Sequence, residues 1–359
     1  MASLLSQLEH PIVQAPMAGG PSTPALAAAV CEAGGLGFLA AGYRPPDAVR
    51  ADLAALRALT GRPFGVNLFV PGAPSRDPAG LRRYAEALAA EASRYGVELG
   101  EPRYDDDGWK AKLELVRSGR VPVVSFTFGC PDAAVVRLLR EAGCEAWVTV
   151  TSAAEALAAA GAGADALVVQ GVEAGGHRSS HEPSAAADVA LLPLLQLVRE
   201  VSELPLVATG GIATGRGVAA VLAAGAAAAQ LGTAFMLTPE AATSPAHREA
   251  LKRRAPTALT RAFTGRSARG IENRFMREHE GEAPVAYPEV HHLTAPVRGA
   301  ARDRGDAEGF HLWAGQAYPL AAERPAGELV RALAEEAREA LASAGRALAH
   351  RPERRRQDA

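Results

Sequence analysis

The stretch Ala166-Leu-Val-Val-Gln170-Gly-Val-Glu-Ala-Gly-Gly-His177 contains the unit that decides the fold. It begins with an apolar run of the kind that forms a buried parallel strand, and it then breaks into a glycine-rich turn that ends in a histidine. Paired glycines let a backbone approach a flat or phosphorylated ligand closely, because no Cβ stands in the way. A histidine titrates near neutral pH, so it can act as an acid or a base. The stretch therefore predicts a strand that ends in a site for a flat cofactor, beside a side chain that transfers protons.

The same unit recurs along the chain. Short apolar or β-branched runs alternate with Ala/Leu-rich segments, several of which open with Ser, Thr, Asp or Pro and close with Gly, as helices do. Eight repeats predict an α/β fold, a (β/α)8 TIM barrel, and a doubly wound open sheet is the alternative. Polar residues or glycines at most run ends favour the barrel, because only there do all strand ends meet at one mouth. The runs are residues 12–15, 36–39, 64–68, 121–126, 146–150, 166–170, 204–208 and 228–231.

The alternation also divides the chain into domains. Residues 1–237 contain the repeats and form the predicted barrel. Residues 238–312 are richer in Arg, His and Glu, which predicts an inserted, smaller and mainly helical domain that caps the mouth. Residues 313–350 contain leucines at near-helical spacing, so we expect them to return to the barrel wall as a C-terminal helix. The charged tail, 351–359, is predicted to be disordered.

Composition excludes several classes of partner. The chain has 38 Lys and Arg against 40 Asp and Glu, so it lacks a basic field that would attract nucleic acid or an anionic membrane. The 3 cysteines form no C-x-x-C pair, which fits a reducing cytoplasm better than a disulfide framework or a zinc site. The N-terminus does not resemble a signal peptide, and the uncharged stretch 217–237 is mostly alanine, too weakly apolar to span a bilayer. We expect a cytoplasmic protein with neither a nucleic-acid nor a membrane partner.

Two further loops and two amide side chains bear on ligand binding. Ala208-Thr-Gly-Gly-Ile-Ala213 follows the seventh run, and Gln230-Leu-Gly-Thr233 ends the eighth. Barrels commonly bind phosphate with these two loops, through backbone N–H groups that no side chain obstructs; tight turns needed for closure are the alternative. Asn67 and Gln170 lie at strand ends within apolar sequence, and a buried amide needs a hydrogen-bond partner. That partner is either backbone or the polar edge of a flavin ring.

Several motifs occur in a fixed order between Gln14 and Asn273. They are Gln14-Ala-Pro-Met17, Gly65-Val-Asn67, Gln170-Gly-Val-Glu-Ala-Gly-Gly-His177-Arg, Thr209-Gly-Gly-Ile212, Gln230-Leu-Gly-Thr233 and Thr264-Gly-Arg-Ser-Ala-Arg-Gly270. Together they resemble the FMN-dependent nitronate monooxygenases, formerly called 2-nitropropane dioxygenases. The shared order is far more specific than any single motif.

The resemblance implies a cofactor, FMN, and a role for each matching residue. Asn67, Gln170 and the backbone near Ala15 and Met17 would hydrogen-bond the flavin. His177 would be the catalytic residue, on the substrate side of the ring, and no metal would take part. The other cofactor-binding positions, several of them around the ribityl phosphate, would be Gly175, Gly176, Gly210, Gly211, Gln230, Leu231, Gly232 and Thr233.

The implied reaction is FMN-dependent oxidation of alkyl nitronates by O2 to a carbonyl compound and nitrite, without NAD(P)H. Propionate 3-nitronate is a candidate substrate, nitroalkanes are weaker ones, and the protein would be a monomer or homodimer. An NAD(P)H-dependent flavin reductase of the enoyl-ACP or quinone reductase type, which resembles the chain in its Glu173-Ala-Gly-Gly-His177 core, is the alternative. A non-catalytic flavin-binding barrel ranks third. One departure concerns Ser179, which stands where the family carries Gly and would be strained if that position needs a positive φ.

Other polar residues admit two interpretations each. His291 and His292 are either metal ligands or surface residues, and the lack of a third ligand at helix spacing favours the surface. Arg266, Arg269 and Tyr318 either offer a cation or hydroxyl to an anionic substrate or lie on the surface.

Overall fold

The computed structural model describes residues 3–185 and 188–349. The tail predicted to be disordered, 351–359, lies outside the described residues. No helix within these ranges is both long enough and apolar enough to cross a membrane.

Parallel strands form a barrel at the centre of the molecule. Its strands are β1 Ile12–Gln14, β2 Phe38–Ala40, β3 Gly65–Phe69, β4 Val123–Thr127, β5 Glu145–Val150, β6 Ala166–Gln170, β8 Leu206–Thr209 and β9 Ala228–Leu231, with β7 in a separate sheet. β1 pairs with β9, and a parallel bridge between Val13 and Leu36 joins it to the residues before β2, so the sheet closes on itself. Each predicted run overlaps one of the 8 strands, to within one residue at the C-terminal end, and the (β/α)8 barrel is confirmed.

Helices cover the outside of this barrel. The helices of the chain are α1 Pro24–Glu32, α2 Pro46–Leu59, α3 Pro78–Ala87, α4 Ala89–Tyr95, α5 Trp109–Ser118, α6 Ala133–Glu141, α7 Ala153–Ala162, α8 Leu191–Arg199, α9 Gly215–Ala223, α10 Pro245–Leu251, α11 Arg274–His279, α12 Glu289–Asp303 and α13 Ala326–Ala349. Local sequence sets several of their starts: the side chains of Thr23, Ser152 and Thr214 each accept a hydrogen bond from the first turn, as N-cap residues do. The predicted C-terminal helix is α13, which packs against α1 and α9.

A smaller unit, the cap, covers the carboxyl ends of the strands. It contains α10, α11 and α12 together with a three-stranded antiparallel sheet of β7 Gly176–His177, β10 Thr257–Thr260 and β11 Ala268–Ile271. β11 pairs with both of the other strands. The cap is mainly helical, as expected, and the small sheet is an addition that the sequence did not predict. The sequence does not predict these strands, because they are short and partly polar and lack the apolar runs that characterise the barrel strands.

The cap also uses residues from outside 238–312. Tyr84 of α3 and Leu88, between α3 and α4, belong to the same buried apolar cluster as Phe263 and Val290. The Tyr84 hydroxyl donates to the Ala262 carbonyl at 2.7 Å, which fastens the segment to the cap. The helices α3 and α4 follow β3, so the sequence order alone assigns them to the barrel. The boundaries at 237 and 312 stay a prediction.

The opposite end of the barrel is closed. Phe38 and Trp147 fill the barrel interior there in a buried apolar cluster with Leu5. The Glu145 carboxylate accepts hydrogen bonds from the Leu4 N–H at 2.6 Å and from Trp147 Nε1 at 2.9 Å, which fastens the N-terminal turn across this end. The space for a ligand therefore lies at the carboxyl ends of the strands.

Candidate active site

A cavity of about 580 Å³ lies between the carboxyl ends of the barrel strands and the cap. All of the predicted site residues except Leu231 line it. Successive side chains of a strand point to opposite faces, so Gln230 faces the cavity while Leu231 packs into the core between sheet and helices. Leu231 still contributes its carbonyl, which accepts a hydrogen bond from the Ala15 N–H at 2.8 Å.

The loop after β1 is held by two polar side chains. Gln14 Oε1 accepts from the Phe38 N–H at 3.0 Å, and its Nε2 donates to Ser22 Oγ at 3.1 Å and to the Ala15 carbonyl. Ser22 Oγ in turn accepts from the Met17 N–H at 2.8 Å. These bonds fix Ala15 and Met17 in the cavity wall, where the sequence predicts them.

The two glycine loops after β8 and β9 meet in another part of the wall. Gly210 and Gly211 have φ angles of 117° and 67°, which only glycine adopts without strain. Within the described part of the chain, the N–H groups of Gly210, Gly211 and Gly232 donate to no other residue. Unpaired N–H groups beside a cavity suit an anionic ligand such as a phosphate. Gly175 has a packing reason as well, since a Cβ there would lie 2.4 Å from the Gly315 nitrogen.

Asn67 and Gln170 both have partners within the protein. Asn67 Nδ2 donates to Ser125 Oγ and Thr127 Oγ1, both at 2.9 Å, on the neighbouring strand. Gln170 Nε2 donates to the His177 carbonyl at 3.1 Å, and its Oε1 accepts from the Ser179 N–H at 2.9 Å. Gln170 therefore holds the loop that carries His177. Gln170 thus has backbone partners, the first of the two alternatives considered for a buried amide.

His177 lies on β7, which pairs with β11 and so belongs to the cap sheet. Its Nε2 lies 2.9 Å from Thr264 Oγ1, and the Thr264 hydroxyl donates its single proton to the Arg266 carbonyl at 3.2 Å. The Thr264 oxygen must then accept from His177, so we assign the proton to Nε2. The lone pair of Nδ1 remains available for a proton from a ligand.

Aromatic rings and positive charge surround this imidazole. Phe128, Trp313 and Tyr287 pack against it, with ring centroids at 5.5, 5.6 and 5.8 Å. Burial, and then the charges of Arg266 and Arg298, lower the pKa of His177 to about 3. The imidazole is therefore neutral at pH 7; a pKa this low makes it a weak base, and an anion that offsets the charges of Arg266 and Arg298 would raise it.

The cavity wall carries positive charge without a negative counterpart. Among the described residues that line it, none is Asp or Glu, whereas Arg298 and Arg302 are both present. Arg266 adds a further cation nearby, 4.2 Å from the centroid of the Phe128 ring. Such a wall favours anionic ligands.

Four residues for which a surface position was considered are buried or line the cavity instead. Arg266 and Arg269 are only 4 % and 6 % exposed, and their Nε atoms donate to the carbonyls of Arg178 and Val172. Tyr318 is buried too. His291 is not a surface residue, because it lines the cavity.

The departure at Ser179 causes no backbone strain. Ser179 is not among the non-glycine residues with positive φ, which are Tyr43, Asp107, Arg120 and Phe128. It is buried, and its N–H donates to Gln170 Oε1. Serine therefore fits the loop in the conformation seen here.

Several residues that line or adjoin the site were not among the predicted ones. Tyr43 and Phe128 come shortly after the ends of β2 and β4, so the rule that strand ends converge would have found them. Tyr287, Arg298 and Trp313 come from the cap and its C-terminal continuation, where no periodic pattern shows which side chains face the mouth.

The fold and the cavity define a barrel enzyme with a cofactor-sized site at the carboxyl ends of its strands. The sequence profile described as nitronate monooxygenase matches residues 2–336. A nitronate monooxygenase of Pseudomonas aeruginosa PAO1 is 43% identical over 349 residues, which cover 92% of this chain and 97% of that protein. The chain therefore belongs to the nitronate monooxygenase family and is an oxidoreductase.

Solved structures agree with this assignment. The nitroalkane oxidase from Streptomyces ansochromogenes superposes with a TM-score of 0.93 at 54% identity, covering 95% of this chain and 99% of that one. FabK from Thermotoga maritima is more distant, with a TM-score of 0.76 at 29% identity, covering 96% and 97% of the two chains.

Proposed function

We propose that the protein binds FMN in the cavity and oxidises alkyl nitronates with O2 to a carbonyl compound and nitrite. Family membership supports the reaction class. The observation that carries the proposal is a neutral imidazole with a free lone pair, in a cavity whose wall is positive and contains no described acidic residue. An anionic, electron-rich substrate matches that wall.

The residues present fit FMN. The unpaired N–H groups of Gly210, Gly211 and Gly232 would hold its phosphate, and the Asn67 amide, with the backbone of Ala15 and Met17, would contact the ring. Gly176 has a φ of 75° and open space where a Cβ would be, so glycine both permits the turn and leaves room for a flat ligand. When bound, FMN supplies the redox chemistry, which no side chain here can supply.

His177 has two tasks in this proposal. Its Nδ1 takes the α-proton from a neutral nitroalkane, and it orients a nitronate, which has already lost that proton. Thr264 fixes the tautomer in which Nδ1 is the base. Phe128, Trp313 and Tyr287 exclude water from the proton transfer.

Two measurements test the proposed function. The purified protein should show a flavin spectrum, and it should consume O2 and release nitrite with a panel of alkyl nitronates. A colourless protein that does not bind added FMN would contradict the proposal. Rapid reduction of the flavin by NADPH, without reduction by a nitronate, would favour the reductase alternative.

His177→Asn tests the role of the imidazole, with His181→Asn as the matched control. His181 lies in the same loop but hydrogen-bonds Glu155 and the Thr149 carbonyl. His177→Asn should keep FMN and lose about 10²-fold to 10⁴-fold in turnover of a neutral nitroalkane, the range for loss of a general base. Turnover of the nitronate should fall less. Unchanged turnover of both substrates would remove His177 from the mechanism.

A further inference from the structure

Arg298 is a buried cation in the wall of the candidate active site. It is 7 % exposed and lines the cavity. Its Nε donates to Thr294 Oγ1 at 2.9 Å, and its Nη2 donates to the His291 carbonyl at 2.7 Å. Its Nη1 and Nη2 also lie 3.3 Å from His311 Nδ1 and His291 Nδ1. Every one of these partners is uncharged.

The lack of a carboxylate partner sets Arg298 apart from a structural arginine of the same cap. Arg274 forms a bidentate pair with the buried Glu91 carboxylate, at 2.5 and 2.8 Å. Within the described part of the chain, no carboxylate pairs with Arg298, although burial only lowers its pKa to about 10 and leaves it charged. A buried charge without a counter-ion is unfavourable. A bound anion would relieve that cost.

The two histidines beside Arg298 complete a set of donors. Because a guanidinium can only donate, the Nδ1 atom of each histidine must accept, which places both imidazole protons on Nε2. Burial lowers the pKa of His291 and His311 well below the usual value, so both rings are neutral. Both also line the cavity. The cluster of Arg298, His291 and His311 therefore offers N–H donors to a ligand that only accepts, which is the property of an anion.

Two series of side chains in contact connect this cluster to His177. Trp313 packs against His177 and stacks on His311, with centroids 5.0 Å apart in the second contact. On the other side, Tyr287 packs against His177, and its hydroxyl lies 3.0 Å from that of Tyr43. Tyr43 then stacks on His291 at 4.2 Å. His177 and the cluster thus belong to one ring of side chains around a common space.

We propose that Arg298, oriented by His291 and His311, binds a planar two-oxygen anion of the substrate and so determines substrate specificity. The inference rests on the proposed function. A nitronate group and a carboxylate group both have this shape and charge, and Arg298 offers them its charge and the one N–H, on Nη1, that the contacts above leave uncommitted. The anion is therefore either the reacting group itself or a carboxylate elsewhere on the same substrate.

Arg298→Gln tests the proposal, with Arg277→Gln as the control that removes a charge from an exposed position of the same cap, away from the cavity. The two substrates are ethyl nitronate, charged only at the reacting group, and propionate 3-nitronate, which adds a carboxylate. Arg298→Gln should raise KM about 30-fold or more, the ratio that corresponds to about 2 kcal/mol for an unpaired buried charge. Arg277→Gln should change KM less than about twofold, as expected for an exposed charge.

The pattern of KM values identifies the anion. A rise with both nitronates assigns Arg298 to the nitronate group, and a rise with propionate 3-nitronate alone assigns it to the carboxylate. Wild-type KM values for both would overturn the proposal. Should Arg298→Gln not fold, Arg298→Lys keeps the charge but loses the planar guanidinium that the two histidines orient, and a KM unchanged in that variant would count equally against the proposal.

A binding measurement separates this inference from the proposed function. Sodium propionate, which cannot be oxidised as a nitronate, is titrated into the purified holoenzyme while the fluorescence of Trp313, next to His311, is followed. The wild type should show a saturable change, weakened at least about tenfold in Arg298→Gln, which is about 1.4 kcal/mol. That result would support the anion site even if no nitronate were oxidised. Equal binding by the two proteins would overturn it whatever the activity.

Discussion

His177 and Thr264 are joined by a 2.9 Å contact between Nε2 and Oγ1, although 87 positions separate them in the chain. The contact connects the loop after β6 to the turn that precedes β11. It also determines which imidazole nitrogen is free to accept a proton. The chemistry proposed for the barrel mouth therefore depends on a hydroxyl of the cap.

Thr264→Val should reduce turnover of a neutral nitroalkane about tenfold, since the orienting hydrogen bond contributes about 1.4 kcal/mol. Valine keeps the shape of threonine, so FMN content and the unfolding temperature should change little. Thr264→Ser retains the hydroxyl and should keep most of the activity. Steady-state kinetics of the two variants measure this effect. Equal rates for Thr264→Val and Thr264→Ser would show that the hydroxyl has no orienting role.

Gln170→Met should disorder the loop around His177 while the barrel stays folded. The change removes the acceptor for the Ser179 N–H and the donor to the His177 carbonyl, and an unmet buried group costs about 1–3 kcal/mol. We expect nitroalkane turnover to fall more than FMN content does. Absorbance of the bound flavin and O2 uptake measure the two effects, and a loss of flavin with normal turnover per flavin would contradict this role.

Gly211→Ala should weaken FMN binding at least about tenfold, because a Cβ there would lie 2.9 Å from Glu173 Cβ and would disturb the loop with unpaired N–H groups. The matched control is Gly225→Ala, whose φ of 93° is strained in the same way but which has open space around it. Both variants should lose about 1 kcal/mol of stability. Only Gly211→Ala should lose cofactor, as flavin titration would show. Equal FMN affinity in the two variants would exclude the loop as a phosphate site.

His247→Gln should make stability less dependent on pH. His247 is buried, its Nε2 donates to the Trp313 carbonyl at 3.1 Å, and burial lowers its pKa from 6.5 to about 4. Between those values the unfolded chain binds a proton that the folded one does not, so the free energy of unfolding falls as the pH falls, by about 1.4 kcal/mol per unit for one residue. Glutamine can donate the same bond without titrating. Urea unfolding between pH 6 and pH 4.5 should give a slope smaller by about that amount; identical slopes would contradict it.

The barrel could be predicted because each of its strands is an apolar run with a polar or glycine end. Asn67, Gln170 and Gly210 mark such ends, and the closure of the sheet brings them to one cavity. Leu231 is the exception among the predicted site residues, because the motif match included it although the alternation of side chains along β9 points it away from the cavity.

The cap could not be predicted in the same way. β10 and β11 have four residues each and pair with one another. Their burial pattern cannot be predicted from the local sequence. Arg298 and Trp313 face the cavity, and Tyr287 packs against His177, because the cap packs as it does; tertiary packing of this kind has no periodic signal. The hydrogen-bond partners of Gln170 could not be predicted either, because they depend on how the loop that carries His177, seven residues further along the chain, folds back onto Gln170.

The helices α3 and α4 restrict how chimeras of this family can be made. Exchanging residues 238–312 alone between two relatives would separate Tyr84 and Glu91 from the cap residues with which they pack and pair. A recombinant that is to gain a foreign specificity must transplant residues 78–95 in the same step. Recombination breakpoints chosen from sequence order alone would divide the apolar cluster that α3 and α4 share with the cap.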